Sequence, residues 1–433
     1  MADPIVSRLL EYLDDSPSPF HAAKEAARLL EEAGFAPVDE AAAPGSLPPG
    51  TRGYVLRGGS VVAFLVGSEP AAEAGFRIVT AHTDSPNLRV KPQPLVRGQG
   101  YVRLGVEPYG GLILATWTDR DLGMAGRVVI RTEEGLEQGL VDFRQPLCRI
   151  PNVAIHLNRK VNDDGLKLNK QTHLPAVFAL ANDDDEEDDP FRRLLADEVD
   201  CNPDDLLAWD LSLYDLAPAT LSGAHQEFIS GSRLDNLASC HAGLEALIGQ
   251  SSDAVPASTA VLALFDHEEI GSQTSRGAQS SLLSAVLRRV VEEGENQAAG
   301  GLDRAVANSW MVTVDMAHAV HPAWKDKHDP EHMPRLNKGP VIKQNVNARY
   351  TTESESAAMF LWLCEAVEAP CQWFVNRSDL ACGSTVGPMV AANLGLRSVD
   401  VGNSMLAMHS VREMAGSEDH PHMARVLGAF LAG

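Results

Sequence analysis

Phe76-Arg77-Ile78-Val79-Thr80-Ala81-His82-Thr83-Asp84 is an apolar, β-branched run that ends in a histidine and a carboxylate. Residues 76–82 are apolar enough for a central strand covered on both faces, because such strands lose the polar alternation of half-exposed ones. In extended chain, residues i and i+2 point to the same side. Asp84 is therefore placed to accept the second ring N–H of His82, the arrangement that fixes a metal-binding histidine. Open α/β sheets carry their sites outside the carboxyl ends of strands, and this strand ends there in chemistry.

Outward from this strand, the chain alternates. Upstream, residues 4–13 and 20–33 have helical spacing, the second closed by Gly34, and residues 54–66 are strand-like. Downstream of about 230 come a helix at 234–249, a strand at 259–265, a helix at 279–293, a strand at 309–315 and a helix at 353–367. A strand at 396–401 and a helix at 410–416 follow. Such alternation predicts a largely parallel sheet covered on both faces, an α/β protein. Between about 93 and 175 the texture differs: short β-branched runs are separated by turns such as Pro108-Tyr109-Gly110-Gly111, with no helical period. The simplest division is a discontinuous α/β domain, 1–92 and 229–433, interrupted by a β-rich insertion at 93–228.

Composition narrows the function classes. The chain has 433 residues, 44% hydrophobic and 22% charged, with a formal net charge of −23. An acidic surface repels phosphate backbones and anionic lipid, so no nucleic-acid or membrane partner is expected. The six cysteines are scattered without a CxxC pair, which in a chain of this size reads as reduced thiols in the cytoplasm. The N-terminus lacks a signal-peptide pattern. The acidic run at 183–189 reads as a solvated loop, since adjacent like charges repel and no turn-forming Gly spaces them for calcium.

Other chemistry-bearing residues follow predicted strands in the same way. Glu268 and Glu269 come after TAVLALF (259–265), Asp315 ends WMVTVD (310–315), and His409 lies in LAMHSVRE (406–413), entering a helix. Asp235 sits at a helix start after Gly231. Singly, each is more often a cap, a turn former or a solvated side chain. Jointly, two histidines and several carboxylates at one sheet edge are a set that needs pairing or metal. Mixed N/O donors suit zinc, with cobalt or manganese as alternatives.

HTDSPNLRVKP (82–92), SGSRLDN (230–236), DHEEIGS (266–272), VDMAHAVHP (314–322), NKGPVIK (337–343) and LAMHSVRE (406–413) resemble the motifs of the aspartyl aminopeptidases, a family of dinuclear zinc exopeptidases. SPSPFHA (16–22), EPYGGLILATWTDRDLGMAGRV (107–128) and IPNVAIHLNRKVN (150–162) extend the likeness over nearly the whole chain, with nothing diagnostic in 177–220. The resemblance implies an α/β/α metallopeptidase domain with an inserted dimerisation domain, assembled into a tetrahedral homo-oligomer, a dodecamer built from dimers. It implies two divalent ions bridged by Asp235, with His82 and Asp315 on one and Glu269 and His409 on the other. Glu268 is then the general base that activates a metal-bound hydroxide. His156 reaches a neighbouring subunit's site, and Lys343 recognises the acidic side chain of an N-terminal Asp or Glu.

Other hydrolase and nucleotide-binding signatures are missing. The sequence has no HExxH, no GxSxG and no GxGxxG. The alternatives left open are a related dinuclear hydrolase with neutral-residue or deacylase specificity, and an inactive oligomeric binding protein.

Overall fold

The structure is a computed structural model that describes residues 3–43, 45–181, 189–250, 254–294 and 300–433. Apart from Asp189, the acidic run lies outside the described residues. Asp189 itself caps the helix Pro190–Glu198 by accepting the N–H of Arg192 at 2.8 Å.

The chain divides into two compact units, Met1–Asp84 with Ala219–Met408 and Glu413–Gly433, and Ser85–Pro218 with His409–Arg412. These limits differ from 92/93 and 228/229 for a physical reason. Asn87–Gly98 is one strand that pairs along its length with Tyr101–Tyr109, so the sheet of the second unit begins before the turn-rich texture does. Phe228–Gly231 pairs with Glu413–Gly416 and stays with the first unit.

Among the described residues of the first unit, nine strands form the large sheet. Its centre is parallel, in the order Thr259–Phe265, Phe76–His82, Trp310–Val314, Arg397–Gly402. The hairpin Arg52–Arg57 and Ser60–Leu65 adds antiparallel to one side, and Val341–Gln344 adds antiparallel to the other. The sheet is therefore mixed at its flanks. Successive residues of the strands enter opposite cores. Val79 and Ala81 pack under Pro4–Asp14, Pro19–Glu32, Leu234–Ile248 and Asp419–Ala432. Phe76 and Ile78 pack under Leu282–Glu293 and Val386–Leu394. The unit is an α/β/α sandwich.

Among the described residues of the second unit, six antiparallel strands run in the order Gly135–Cys148, Leu122–Thr132, Leu206–Asp215, Asn87–Gly98, Tyr101–Tyr109, Ala176–Leu180. Phe191 and Leu195 of Pro190–Glu198 close its core.

Two elements correct the sequence reading. Residues 54–66 are a hairpin turning at Gly58-Gly59 rather than one strand. Residues 413–416 are a strand rather than the end of a helix at 410–416. His409 has φ +66, which interrupts any helix there, and a four-residue run takes its conformation from its pairing partner.

Candidate metal centre

The parallel registers bring strand ends to one level: Phe265 pairs opposite His82, and Thr80 opposite Thr313. His82 closes its strand, Asp315 follows Val314, and Asp266-His267-Glu268-Glu269 follow Phe265. Asp235 comes from the opposite side, on the first residues of Leu234–Ile248, where Asp235 and Asn236 are not yet helical.

His82, Asp235 and Glu269 each offer a ligand atom, and those atoms lie within 4.8 Å of one another. His82 Nε2 is 3.5 Å from Asp235 Oδ1 and 3.6 Å from Asp315 Oδ1. His82, Asp235 and Asp315 are all buried. Burial alone would lower the His82 pKa, yet Asp235, Asp315 and Asp84 hold it well above the ordinary imidazole value. Burial pushes the Glu268 carboxyl well above the usual range; His82 opposes this, and Asp315, Glu269 and Asp84 reinforce it. Five carboxylates (Asp84, Asp235, Glu268, Glu269, Asp315) are thus gathered around one imidazole and the Lys343 ammonium. Asp84, Asp235 and Asp315 are buried and the two glutamates half-buried, and such an excess of acidic groups calls for a cation. The donor set of imidazole nitrogen and carboxylate oxygen fits zinc.

Asp84 acts differently from the sequence expectation. His82 Nδ1 donates to the Asp84 backbone carbonyl at 3.0 Å, and the carboxylate is farther, at 3.5 Å. The carboxylate oxygens instead accept the backbone N–H groups of Glu268, at 3.0 Å, and Glu269, at 3.1 Å. One residue therefore sets both the imidazole tautomer and the turn bearing the two glutamates.

Lys343 is buried rather than solvated. Its Nζ donates to the Asp315 carbonyl at 2.8 Å, lies 3.5 Å from Asp315 Oδ2, and sits 5.1 Å from the Tyr350 ring. Lys343 therefore holds Asp315, one of the residues beside His82.

His409 and His156 belong to the second unit. His409 Nδ1 donates to the Gly111 carbonyl at 2.8 Å, which leaves the lone pair on Nε2. His409 lies in a turn, not at a helix start. His156 is exposed, in the turn-rich segment 151–160.

Two further residues were given no role in the sequence reading. Glu413 accepts the Asp235 N–H at 3.0 Å, and Asn236 Nδ2 donates to the Val314 carbonyl at 2.9 Å. Both lie inside quoted motifs, but their partners are 178 and 78 residues away, which no local pattern encodes.

Comparisons with known proteins place the chain in a family. Residues 12–431 match the aminopeptidase I zinc metalloprotease family, M18. A probable M18 family aminopeptidase 2 of Ectopseudomonas mendocina (strain ymp) is 49% identical over 99% of this chain and 98% of its own length. The cryo-EM structure of the Ape4 and Nbr1 complex superposes with a TM-score of 0.94 at 36% identity, over 99% of this chain and 85% of that one. The S. cerevisiae mApe1 dodecamer gives a TM-score of 0.85 at 26% identity, over 99% of this chain and 96% of that one. The chain belongs to the M18 family of zinc aminopeptidases.

Proposed function

We propose that this zinc aminopeptidase holds two divalent ions, removes N-terminal Asp or Glu in preference to other residues, and uses Glu268 as its general base. The observation that carries this reading is the cluster of buried His82, Asp235 and Asp315 with half-buried Glu269, and Glu268 beside it. Asp235 would be shared between the ions, His82 and Asp315 would complete one set, and Glu269 and His409 the other. Bound zinc supplies Lewis acidity, polarising the scissile carbonyl and lowering the pKa of water.

The residues of the chain do the rest. Glu268, raised in pKa by burial, takes a proton from the attacking water and hands it to the leaving amine, a role worth typically 10²–10⁴-fold. Asp84 fixes the Glu268 and Glu269 amides so that base and ligand keep separate directions. Lys343 supplies the local cation that a chain of net charge −23 needs to accept an acidic side chain.

The mApe1 dodecamer supports a homo-oligomer for this chain, with the second unit as its dimerisation domain. In that assembly His156 would donate to the tetrahedral intermediate in a neighbouring subunit. Among the described residues no helix is long and apolar enough to cross a membrane, and we place the enzyme in the cytoplasm. One observation favours a second specificity: Lys343 already neutralises Asp315, which leaves less of its charge for substrate and suits neutral N-terminal residues. A panel of X-peptides decides between the two. Acidic preference requires higher kcat/KM for Asp- and Glu-peptides than for Leu-peptides; the reverse order establishes neutral specificity with the peptidase reading intact.

A further inference from the structure

The turn that carries Glu268 and Glu269, anchored on Asp84, is also pinned by a second set of groups outside the metal cluster. Asp266 is fully buried, and its Oδ1 accepts the backbone N–H of His267 at 2.9 Å. Its Oδ2 lies 3.2 Å from Nε of Arg276. The other arm of the same guanidinium, Nη2, is 2.8 Å from His267 Nε2. A guanidinium only donates, so this ring nitrogen accepts and the ring proton sits on Nδ1, 2.8 Å from Thr274 Oγ1. His267 is thereby fixed in ring and in backbone, and it needs fixing: its φ is +67, left-handed for a residue with a side chain. The rotation of the chain at His267 sets where Glu268 and Glu269 point.

The clamp is enclosed. The Phe20 ring lies 5.2 Å from the guanidinium carbon. At Gly58 a Cβ would stand 2.6 Å from Arg276 Cδ, and at Gly59 one would stand 2.5 Å from Asp266 Oδ2, so the hairpin turn presses its bare backbone against the pair. Ser60 Oγ donates to the Arg276 carbonyl at 2.7 Å and accepts the Asp266 N–H at 2.9 Å. Two hydrogen-bonding arms in a fixed fork are what Arg offers and Lys does not.

We infer that Arg276 is a positioning residue for catalysis, holding the left-handed turn at His267 so that Glu268 meets the substrate water while Glu269 keeps its metal. The inference rests on the reading of Glu268 as the base. It accounts for a half-buried, doubly used guanidinium beside the fully buried Asp266.

The test measures kcat, KM, zinc content and melting temperature for Arg276→Ala, Arg276→Lys and Thr274→Val, alongside Glu268→Gln. Misplacing a catalytic group by about 1 Å costs up to ~10²-fold. Arg276→Ala should therefore lose about tenfold to a hundredfold in kcat with KM nearly unchanged and zinc retained. Millimolar guanidinium should restore part of that loss. Arg276→Lys should recover less than the added guanidinium does, and Thr274→Val should lose a smaller part of kcat. Wild-type kcat in a folded, zinc-loaded Arg276→Ala overturns the inference, as does a loss matched by lost zinc and reversed by excess zinc. If Arg276→Ala does not fold, an unchanged kcat in Thr274→Val overturns it. Full activity in Glu268→Gln would instead sink the base assignment, a separately readable result.

Discussion

Strand Thr259–Phe265 of the large sheet is buried at every residue, whereas Gly135–Cys148 of the second unit is exposed over its first four residues and buried only at Val141, Phe143 and Cys148. The first is an interior strand, parallel to Phe76–His82 and antiparallel to Ser60–Leu65, covered by helices on both faces, and the second is an edge strand open to solvent. The contrast shows where each unit can hold charge. A carboxylate placed just beyond a doubly covered strand loses its water and must find a cation, so the parallel centre concentrates buried acids at one rim. The second unit has ion pairs near solvent, such as Arg149–Asp121 with half or more of each side chain exposed, and such pairs contribute about 0–1 kcal/mol; its buried Asp215 is held by Arg120 at 2.5 Å. The first unit's rim therefore carries the cluster of His82, Asp235, Asp315 and the two glutamates.

The sharpest way to break this contrast is to uncharge the rim. Asp235→Asn removes the carboxylate on which both ions are proposed to depend, so zinc content should fall towards zero and turnover with it. Full zinc occupancy by elemental analysis would show that Asp235 does not bridge. Next in size is the contribution assigned to the second unit. His156→Ala should lower turnover by ~10²–10³-fold, the usual cost of an oxyanion donor, with zinc content unchanged. Co-expressed with Glu268→Gln, it should regain activity, since a mixed oligomer pairs an intact His156 with an intact Glu268. No recovery in proven mixed oligomers would confine His156 to its own subunit.

A smaller effect is expected at Lys343. Because Lys343 also holds Asp315, Lys343→Leu should reduce turnover of every peptide. The specific signal is the ratio of Asp- to Leu-peptide kcat/KM, expected to fall about 10–100-fold, in line with ~1–3 kcal/mol for a charged hydrogen bond. An unchanged ratio assigns Lys343 to Asp315 alone.

The smallest effect lies in stability, away from the rim. His241 and His420 are buried and 2.9 Å apart, Nδ1 to Nε2. Burial, with the Arg8 charge, lowers His241 to about 3, and burial with His241 lowers His420 well below its ordinary value. Both depressed pKa values mean that the unfolded chain binds more protons below about pH 6.5. Stability is therefore retained above that pH and lost as pH falls from about 6.5 towards 3, at up to ~1.4 kcal/mol per pH unit for each ring. Glu245, 3.4 Å from His241 Nε2, opposes the lowering at His420. Thermal melts of wild type and His420→Gln between pH 7 and 5 should show a shallower slope in the variant; parallel slopes would place the acid sensitivity elsewhere.

How far the sequence could be read follows the same contrast. The largely apolar runs 76–82 and 259–265 were legible, and so were the positions of His82, Glu268, Glu269 and Asp315 at strand ends, because a doubly covered strand needs no partner to be recognised. The strand Glu413–Gly416 was not, since four residues with a left-handed His409 upstream carry no period. The hold of Glu413 on Asp235, of Asp84 on the two glutamate amides and of Arg276 on His267 was invisible for another reason. Each joins a side chain to a group placed beside it by tertiary packing, where no residue spacing records the contact.

The central claim is that Glu268 moves protons beside a metal centre it does not itself hold. Zinc content and turnover measured on one preparation of Glu268→Gln test it directly. The expected result is zinc per chain equal to wild type with hydrolysis reduced by ~10²–10⁴-fold; wild-type hydrolysis at equal zinc, or loss of zinc with the activity, would contradict it.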